Sequence, residues 1–449
     1  MKETSIRGIG RIPSEWDMVK LRMGFSFAKG LSITKDDLVD DGIPVISYGQ
    51  VHAKDNPGTG IVNSLLRYVP ESFLARNKTC LVQPGDFIFA DTSEDYMGIG
   101  NAVFVDRNER LFAGYHSIIA RPVFTSMYPK YYAYWFLTDC WRDQIRANVM
   151  GVKVFSITQL LLRDTFMLVP PVKEQEKIVE YLDGKCAKLD EIIETIEKQI
   201  EILQKQKRSI ISRAVIKGIS RNVAMKDSGI PWLGHIPSHW RINRLKYCCS
   251  VKTGPFGTQL SADEYTETGT PIVNVKNIGY GNIIDEDLDY IPDEVKKRLS
   301  VHILQAGDIV FGRKGAVDKH AIIDERHEGW VQGSDCMRLR IYGDIVPEFL
   351  NYYFGSSGYS YYVLSSSVGS TMASVNSQIL NDSIVVYPEI DEQRRIVQYL
   401  DLAMGRIDAI LERKKAQLLA LRNYKRTVIY EYVTGKKRVK EVQQDAHQS

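Results

Sequence analysis

At 449 residues the chain is long enough for two to four domains, and its 44% hydrophobic and 25% charged residues are typical of a globular protein. A formal net charge of +3 is weak, so it permits a polyanionic partner without requiring one. No run of about 20 apolar residues predicts a transmembrane helix, the start lacks the apolar core of a secretory signal, and the six cysteines form no disulfide-like framework, so we expect a cytoplasmic protein with reduced thiols.

Short strand-like runs fill the first part of the chain, separated by clusters of Gly, Pro, Asn and Asp. The clearest of these runs are residues 44–47, 87–90, 102–105 and 166–169. A short helix is predicted at 131–136, where aromatic residues recur at helical spacing on one face. We expect these rings to pack in the core rather than to stack on bases, and we interpret His116-Ser117 as strand packing.

A long amphipathic helix is predicted in residues 172–219, directly after two prolines that end the last strand. Apolar residues recur every seven positions in two rows offset by four, which is the pattern of a coiled-coil seam. The predicted seam residues of this helix are Leu182, Leu189, Ile193, Ile196, Ile200 and Leu203. Lys207 interrupts the seam, where it either fixes the register or extends its ammonium group to solvent, and we favour the second interpretation.

The second half of the chain repeats the first with a nearly constant shift. Residues 12–16 return at 236–240, and the turn and strand at 83–89 return at 305–311. The seam residues of the second helix are Leu400, Ile407, Leu411, Leu418 and Leu421, with Lys425 at the position of Lys207. A repeated seam needs a partner. We therefore predict an α+β protein with two tandem strand-rich domains, each followed by a long helix, in which the two helices pair as an antiparallel coiled coil.

The sequence contains no recognisable catalytic motif. It has no Gly-x-x-x-x-Gly-Lys-Ser/Thr phosphate loop, no Cys-x-x-Cys pair and no histidine spacing that repeats in both halves. The acidic run at 292–294 contains the residue types of a magnesium site, but its carboxylates are bunched, and we interpret it as a solvated turn or a helix start. We expect no catalytic residue, no metal site and no cofactor in this chain.

Two loops of the second half, each with a counterpart in the first, stand out as positions that could contact nucleic acid. Residues 312–320 place basic side chains between glycines, where they can approach a phosphate or a guanine edge, although a solvated basic turn is the alternative. The equivalent residues 90–96 are acidic, so the two halves would read different sequences. The other loop is 151–156 in the first half and 369–376 in the second. The candidate DNA-binding residues are Arg313, Lys314, Lys319, Lys153, Ser370, Thr371 and Asn376.

Two motifs resemble one known family. The run Ser-Gly-Ile-Pro-Trp-Leu-Gly-His-Ile-Pro-Ser-His-Trp at 228–240 resembles the opening of a target recognition domain in specificity subunits of type I restriction-modification systems, although the first half lacks its Trp-Leu pair. Residues 172–183, repeated at 390–401, resemble the start of the spacer helices of that family. The resemblance covers almost the whole chain. It predicts target recognition domains at 1–171 and 220–388, spacer helices at 172–219 and 389–437, and a polar tail at 438–449.

The resemblance implies a subunit without catalysis of its own. It would bind double-stranded DNA and two modification subunits, which carry adenine methyltransferase activity and S-adenosylmethionine. Restriction subunits would join the full complex and cleave DNA with ATP and magnesium. From the two similar halves and their different loops we expect a bipartite, asymmetric DNA target, with the helices measuring an unread spacer. A stand-alone DNA-binding anti-phage accessory module and a coiled-coil protein-protein adaptor remain as alternatives.

Overall fold

The computed structural model describes residues 1–124, 127–151, 153–220, 222–256, 259–314, 317–367 and 374–439. The chain divides into two compact units, unit 1 with residues 1–196 and 416–449, and unit 2 with residues 197–415. Each unit combines one strand-rich region with a part of both long helices, Val172–Lys217 and Ile390–Val433. Within the described ranges, no helix is long and apolar enough to cross a membrane.

The described residues of unit 1 form two four-stranded sheets. One is antiparallel and contains, in order, Ala102–Phe104, Phe87–Ala90, Ser117–Pro122 and Phe25–Lys29. The other contains Arg67–Val69, Ile43–Ile46, Leu111–Ala113 and Leu81–Val82, with one parallel pair. Shorter pairs join Lys2–Glu3 with Arg11–Ile12, Asp17–Lys20 with Phe166–Val169, and Thr92–Ser93 with Phe155–Ser156. The α-helices before the first long helix are Leu21–Gly24, Tyr48–Val51, Phe73–Arg76, Pro129–Phe136, Asp139–Arg146 and Gln159–Asp164.

The described residues of unit 2 repeat this plan. A five-stranded sheet contains, in order, Cys249–Thr253, Cys336–Ile341, Ile309–Gly312, His320–Ile322 and Tyr280–Gly281. A three-stranded sheet contains Asp289–Ile291, Thr270–Val273 and Val331–Gln332, and shorter pairs join Met225–Asp227 with His235–Pro237 and Arg241–Arg244 with Ile384–Tyr387. The short α-helices are Asp293–Arg298, Pro347–Phe354, Ser357–Ser366 and Ser377–Asp382. The first of these begins in the acidic run at 292–294, which confirms its interpretation as a helix start.

The aromatic helices pack in the core of their units, as the sequence predicts. Tyr131 and Trp135 are fully buried, and so are Phe349 and Tyr353 at the corresponding positions of unit 2. The central strand Phe87–Ala90 is also buried along its whole length, because it has a neighbouring strand on each side and helices over its face. These continuous apolar runs therefore mark buried central strands.

A buried glutamine fixes the start of each long helix. Gln175 accepts a hydrogen bond from the backbone nitrogen of Tyr128 at 2.9 Å and donates to the carbonyl oxygen of Pro170 at 2.8 Å. Gln393 does the same in unit 2, where it accepts from the backbone nitrogen of Val346 at 2.7 Å. These bonds satisfy buried backbone groups and tie the helix to the strand and loop before it.

The glutamate before each glutamine binds the tryptophan of the opening motif. The indole nitrogen of Trp16 donates to Glu174 at 2.9 Å, and that of Trp240 donates to Glu392 at 3.3 Å. Both indole rings are almost completely buried. The two motifs that carry the family resemblance are therefore bonded to each other in both units.

The two long helices pair antiparallel, as predicted. In unit 1 the start of the first helix packs on the end of the second, with Leu182 against the region of Val428 and Val433. In unit 2 the end of the first helix packs on the start of the second, with Leu203 in one cluster with Leu411. The buried seam residues are Leu182, Leu189, Ile196, Leu400, Ile407 and Leu411. The half-buried ones are Ile193, Ile200, Leu203, Leu418 and Leu421.

The two lysines of the seam are ion-paired rather than simply extended to solvent. Lys207 binds Asp408 within unit 2, and Lys425 binds Asp190 within unit 1. Each lysine therefore bonds across the helix pair, and the two pairs are equivalent in the repeat. The prediction of solvent-extended ammonium groups was wrong, because the sequence shift aligns each lysine with its copy but does not show which acid faces it.

Candidate nucleic-acid interface

Described residues of the two loops predicted to contact nucleic acid pair with each other in each unit. In unit 1 the strand Thr92–Ser93, which follows the central strand, pairs with Phe155–Ser156. In unit 2 Lys314 forms the equivalent bridge with Ser374. The sequence predicts these loops separately, and the fold joins them at the end of the central strand.

One backbone frame holds this surface in both units. The nitrogen of Asp91 donates to the carbonyl oxygen of His116 at 3.1 Å, and Asp91 accepts from the nitrogen of Ile157 at 2.7 Å. In unit 2 the nitrogen of Arg313 donates to the carbonyl of Asp335 at 2.8 Å, while its own carbonyl accepts from Val375 at 2.9 Å. Asp91 is therefore equivalent to Arg313, and His116 is equivalent to Asp335.

The surface of unit 2 is basic and has an aromatic side chain. The guanidinium carbon of Arg313 lies 4.5 Å from the ring centre of Phe256, a residue that is 46% exposed. Lys314 is exposed, and its ammonium nitrogen lies 3.6 Å from the carboxylate of Asp335. The backbone nitrogen of Gly312 donates to the carbonyl of Lys319 at 3.2 Å, which places Lys319 beside the strand end. Arg313, Lys314 and the backbone of Lys319 thus lie close to the same strand end.

The surface of unit 1 carries a histidine-carboxylate pair among tyrosines. Nδ1 of His116 lies 2.8 Å from a carboxylate oxygen of Asp91. The centre of the imidazole ring lies 4.0 Å from the ring centre of Tyr115 and 5.7 Å from the ring centre of Tyr48. His116 has a φ of +50°, a left-handed conformation that is uncommon outside glycine. The carbonyl of Tyr115 accepts from the backbone nitrogen of Tyr48, and the nitrogen of Tyr115 donates to the hydroxyl oxygen of Ser47, so both bonds hold this turn.

The interpretation of His116-Ser117 as strand packing was correct for only one of the two residues. Ser117 begins a strand and is buried, where its hydroxyl donates to the carbonyl of Gly114 at 2.6 Å. His116 lies in the preceding turn, with its side chain 38% exposed. The sequence gives no local signal for this turn, because the partner Asp91 is distant in the chain.

The remaining predicted residues have different positions. Lys153 is exposed next to Phe155–Ser156. Asn376 caps the helix Ser377–Asp382, where its side-chain oxygen accepts from the nitrogen of Ile379 at 2.9 Å. Thr158 caps the equivalent helix of unit 1, so the side chain of Asn376 serves the fold. Ser370 and Thr371 lie outside the described residues.

Some histidines of unit 2 have structural roles. His320 is buried, with Nε2 3.0 Å from the carbonyl oxygen of Asn351, and burial lowers the pKa of its imidazole. Burial also lowers the pKa of His302. Across the part of the chain that the structure describes, no three His, Cys, Asp or Glu side chains are grouped so that they could hold a metal ion.

Two repeats of one strand-rich frame, joined by paired helices and presenting polar loops at equivalent strand ends, define a tandem recognition protein. Residues 13–202 and 237–420 match the type I restriction modification DNA specificity domain. The chain therefore belongs to the family of type I restriction-modification specificity subunits, which recognise DNA targets.

Individual relatives support this assignment over most of the chain. The specificity subunit of the type I restriction enzyme MjaVIII from Methanocaldococcus jannaschii is 23% identical over 309 residues, which cover 66% of this chain and 68% of the relative. The EcoKI specificity subunit from Escherichia coli is 19% identical over 436 residues, covering 95% of this chain and 90% of the relative. A solved structure from work on complex assembly and conformational transition of the type I R-M system matches with a TM-score of 0.68 at 17% identity, over 95% of this chain and 100% of that chain. This last likeness shows the fold.

Proposed function

We propose that this subunit reads a bipartite, asymmetric DNA target, with one half-site for each unit, and directs adenine methylation and restriction by partner subunits. The observation that carries the proposal is that the two units share the same backbone hydrogen bonds at this surface but have different side chains there. Equivalent positions hold Asp91 and His116 in unit 1 but Arg313 and Asp335 in unit 2. A frame of this kind keeps the backbone fixed while the groups presented to base edges differ.

The charges on these surfaces have different uses in DNA binding. Lys314 and Lys319 are compact positive charges suited to phosphate contacts, which give affinity without sequence information. The acceptor oxygens of Asp91 are suited to the amino group of cytosine, and the fork of Arg313 is suited to guanine. Two chemically different surfaces predict two different half-sites. The weak net charge fits a complex in which partner subunits supply much of the affinity.

Exposed apolar side chains outside the seam support the partner part of the proposal. Ile192 and Leu419 in unit 1 are 45% and 61% exposed, and Leu402 and Ile410 in unit 2 are 67% and 42% exposed. Ile192 and Ile410 occupy equivalent positions of the repeat. Apolar groups exposed at equivalent places favour two copies of one partner, and we assign these to two modification subunits.

The chemistry in this proposal belongs to the partners. The subunit supplies recognition, whereas S-adenosylmethionine is held by the modification subunits, and ATP and magnesium serve the restriction subunits. This chain is thus a non-catalytic component of a methyltransferase and endonuclease complex that acts in the cytoplasm.

Methylome sequencing of cells with and without the gene tests the proposal. We expect one bipartite adenine-methylation motif to disappear when the gene is removed and to return when it is restored. An unchanged methylome in cells with an intact modification subunit would contradict the proposal. Tight site-specific DNA binding without any methyltransferase would favour the stand-alone module, and a complete lack of sequence-dependent DNA retention by the assembled complex would favour the adaptor.

A further inference from the structure

In unit 2, backbone hydrogen bonds hold the residue that follows the central strand Ile309–Gly312. Both backbone polar groups of Arg313 are bonded, to Asp335 and to Val375. Directly after the edge strand Cys249–Thr253, a Cβ atom on Gly254 would lie 1.9 Å from the carbonyl oxygen of Gly333, so these two segments are in close backbone contact. The nitrogen of Gly254 also donates to Cys336 at 2.9 Å. This close packing places the ring of Phe256 next to the side chain of Arg313.

The side chain of Arg313 is oriented by an aromatic ring, and among the described residues it forms no ion pair. Its guanidinium group lies over the ring of Phe256, which orients the planar fork and leaves its N–H groups available for hydrogen bonds. Among the described residues, no carboxylate or carbonyl accepts a hydrogen bond from that guanidinium group. Arg340 of the same unit shows the contrast, because it binds the buried Asp308 at 2.6 and 2.8 Å. The carboxylate of Asp335, whose backbone carbonyl accepts from the nitrogen of Arg313, pairs with Lys314 instead.

The aromatic platform and the arginine occur together in only one unit. Gly30 is equivalent to Gly254 and makes the same close contact, with a Cβ atom 2.3 Å from the carbonyl oxygen of Gly114. Two residues further, unit 1 has Ser32 where unit 2 has Phe256, and it has Asp91 where unit 2 has Arg313. A purely structural aromatic residue would be expected in both copies of the frame. The joint change indicates that Phe256 serves the arginine.

We propose that Arg313, oriented by Phe256, determines specificity in the half-site of unit 2 by donating two hydrogen bonds to O6 and N7 of one guanine. A bidentate fork matches these two acceptors, which no other base presents in the major groove. A lysine at this position keeps the charge but loses the fixed fork. This inference rests on the proposed function and adds a residue, a base and a supporting ring to it.

The test compares complete complexes containing the natural subunit, Arg313→Lys or Phe256→Leu. Methylation rates are measured on DNA targets that differ at one base pair of the motif. We expect Arg313→Lys to reduce discrimination at one guanine position by roughly 5- to 150-fold, and to leave the other half-site unchanged. Phe256→Leu should reduce discrimination at the same guanine, by a smaller factor, because it removes only the platform.

Arg326→Lys is the matched control, since Arg326 is an exposed arginine of the same unit that pairs with Asp324. It should leave every position of the motif unchanged. Lys319→Gln should weaken binding to all targets by a similar factor and reduce the salt dependence. Unchanged discrimination in Arg313→Lys, or a change in the half-site of unit 1, would overturn the inference while leaving the proposed function intact. Absence of any bipartite motif with the natural subunit would remove both.

Discussion

The ammonium group of Lys207 donates to both carboxylate oxygens of Asp408, at 2.6 and 2.8 Å. Lys425 makes the same contact with Asp190 at 2.7 Å. The lysines are equivalent in the repeat and so are the aspartates, so each helix gives one charge of each sign to the pairing. A charge placed in an apolar seam costs stability but fixes one register. The pairs therefore select the antiparallel alignment of the two helices.

Reversing the charge of Asp408 tests whether the Lys207–Asp408 ion pair fixes the register of the two helices. Asp408→Lys should lower the free energy of unfolding of unit 2 by about 1 kcal/mol, because it places two ammonium groups together. Adding Lys207→Asp should recover most of that loss. Denaturant unfolding of the two single variants and the double variant gives the coupling. Glu201→Lys, which reverses an exposed pair with Lys205, is the control and should change stability little. Additive effects in the Lys207 and Asp408 cycle would refute the argument.

Replacement of the buried Gln393 should be costly. Its amide nitrogen donates to the carbonyls of Asp344 and Pro388, and its oxygen accepts from Val346. Gln393→Leu leaves these buried groups without partners, so we expect a loss of about 3 kcal/mol in a thermal or denaturant unfolding measurement. Gln398→Leu changes an exposed residue of the same helix and should be nearly neutral. Equal effects of the two substitutions would show that the bonds of Gln393 are not important.

Two glycines of unit 2 should respond in opposite directions to alanine. A Cβ atom on Gly254 would meet the backbone of Gly333, so Gly254→Ala should destabilise unit 2 by about 2 kcal/mol. Gly405 lies inside the second long helix with nothing within 4 Å of a Cβ atom, so Gly405→Ala should stabilise it by about 1 kcal/mol. Unfolding of both variants is measured by circular dichroism. A neutral Gly254→Ala would show that the close approach of these two backbone segments is not required.

Unit 2 should lose stability in mild acid. Burial lowers the pKa of His302 and of His320 below the ordinary value of 6.5, so the unfolded chain takes up protons at a higher pH than the folded one. Stability should therefore fall as the pH drops below 6.5, by up to about 1.4 kcal/mol per pH unit for each imidazole. Thermal unfolding between about pH 8 and about pH 5 measures the slope. His320→Gln should flatten it, whereas His235→Gln, at an exposed position, should not.

The length of the long helices should set the unread spacer of the proposed target. Adding one heptad to both helices preserves the seam and lengthens each by about 10 Å, which corresponds to about three base pairs. Methylome sequencing should then show a longer spacer between two unchanged half-sites. A heptad added to one helix only should disrupt the pairing and abolish methylation. An unchanged spacer in the double insertion would exclude the measuring role.

The sequence predicts the helix pairing well because the seam repeats every seven residues and needs no knowledge of the rest of the fold. Leu182 and Leu400 are both fully buried, as that pattern requires. The interface is predicted less completely. Arg313 and Lys314 are recognisable because they lie between glycines, but Phe256 lies in a separate segment, after the strand Cys249–Thr253, and has no such signal. The turn at His116 also escapes prediction, since a left-handed φ in a residue other than glycine depends on distant bonds.

The end of the second long helix packs on the strand-rich region within unit 1. The hydroxyl of Tyr430 donates to the carbonyl of Gly8, and that of Tyr131 donates to the carbonyl of Val433, both at 2.7 Å. Unit 2 is one continuous stretch of sequence, and the two segments of unit 1 precede and follow it along the chain. During synthesis on the ribosome, the unit that begins second is therefore the first to have all its residues available. Unit 1 can be completed only after its second segment, which begins at residue 416, has been synthesised. A chain that ended just before residue 416 would contain all of unit 2 but only the first segment of unit 1.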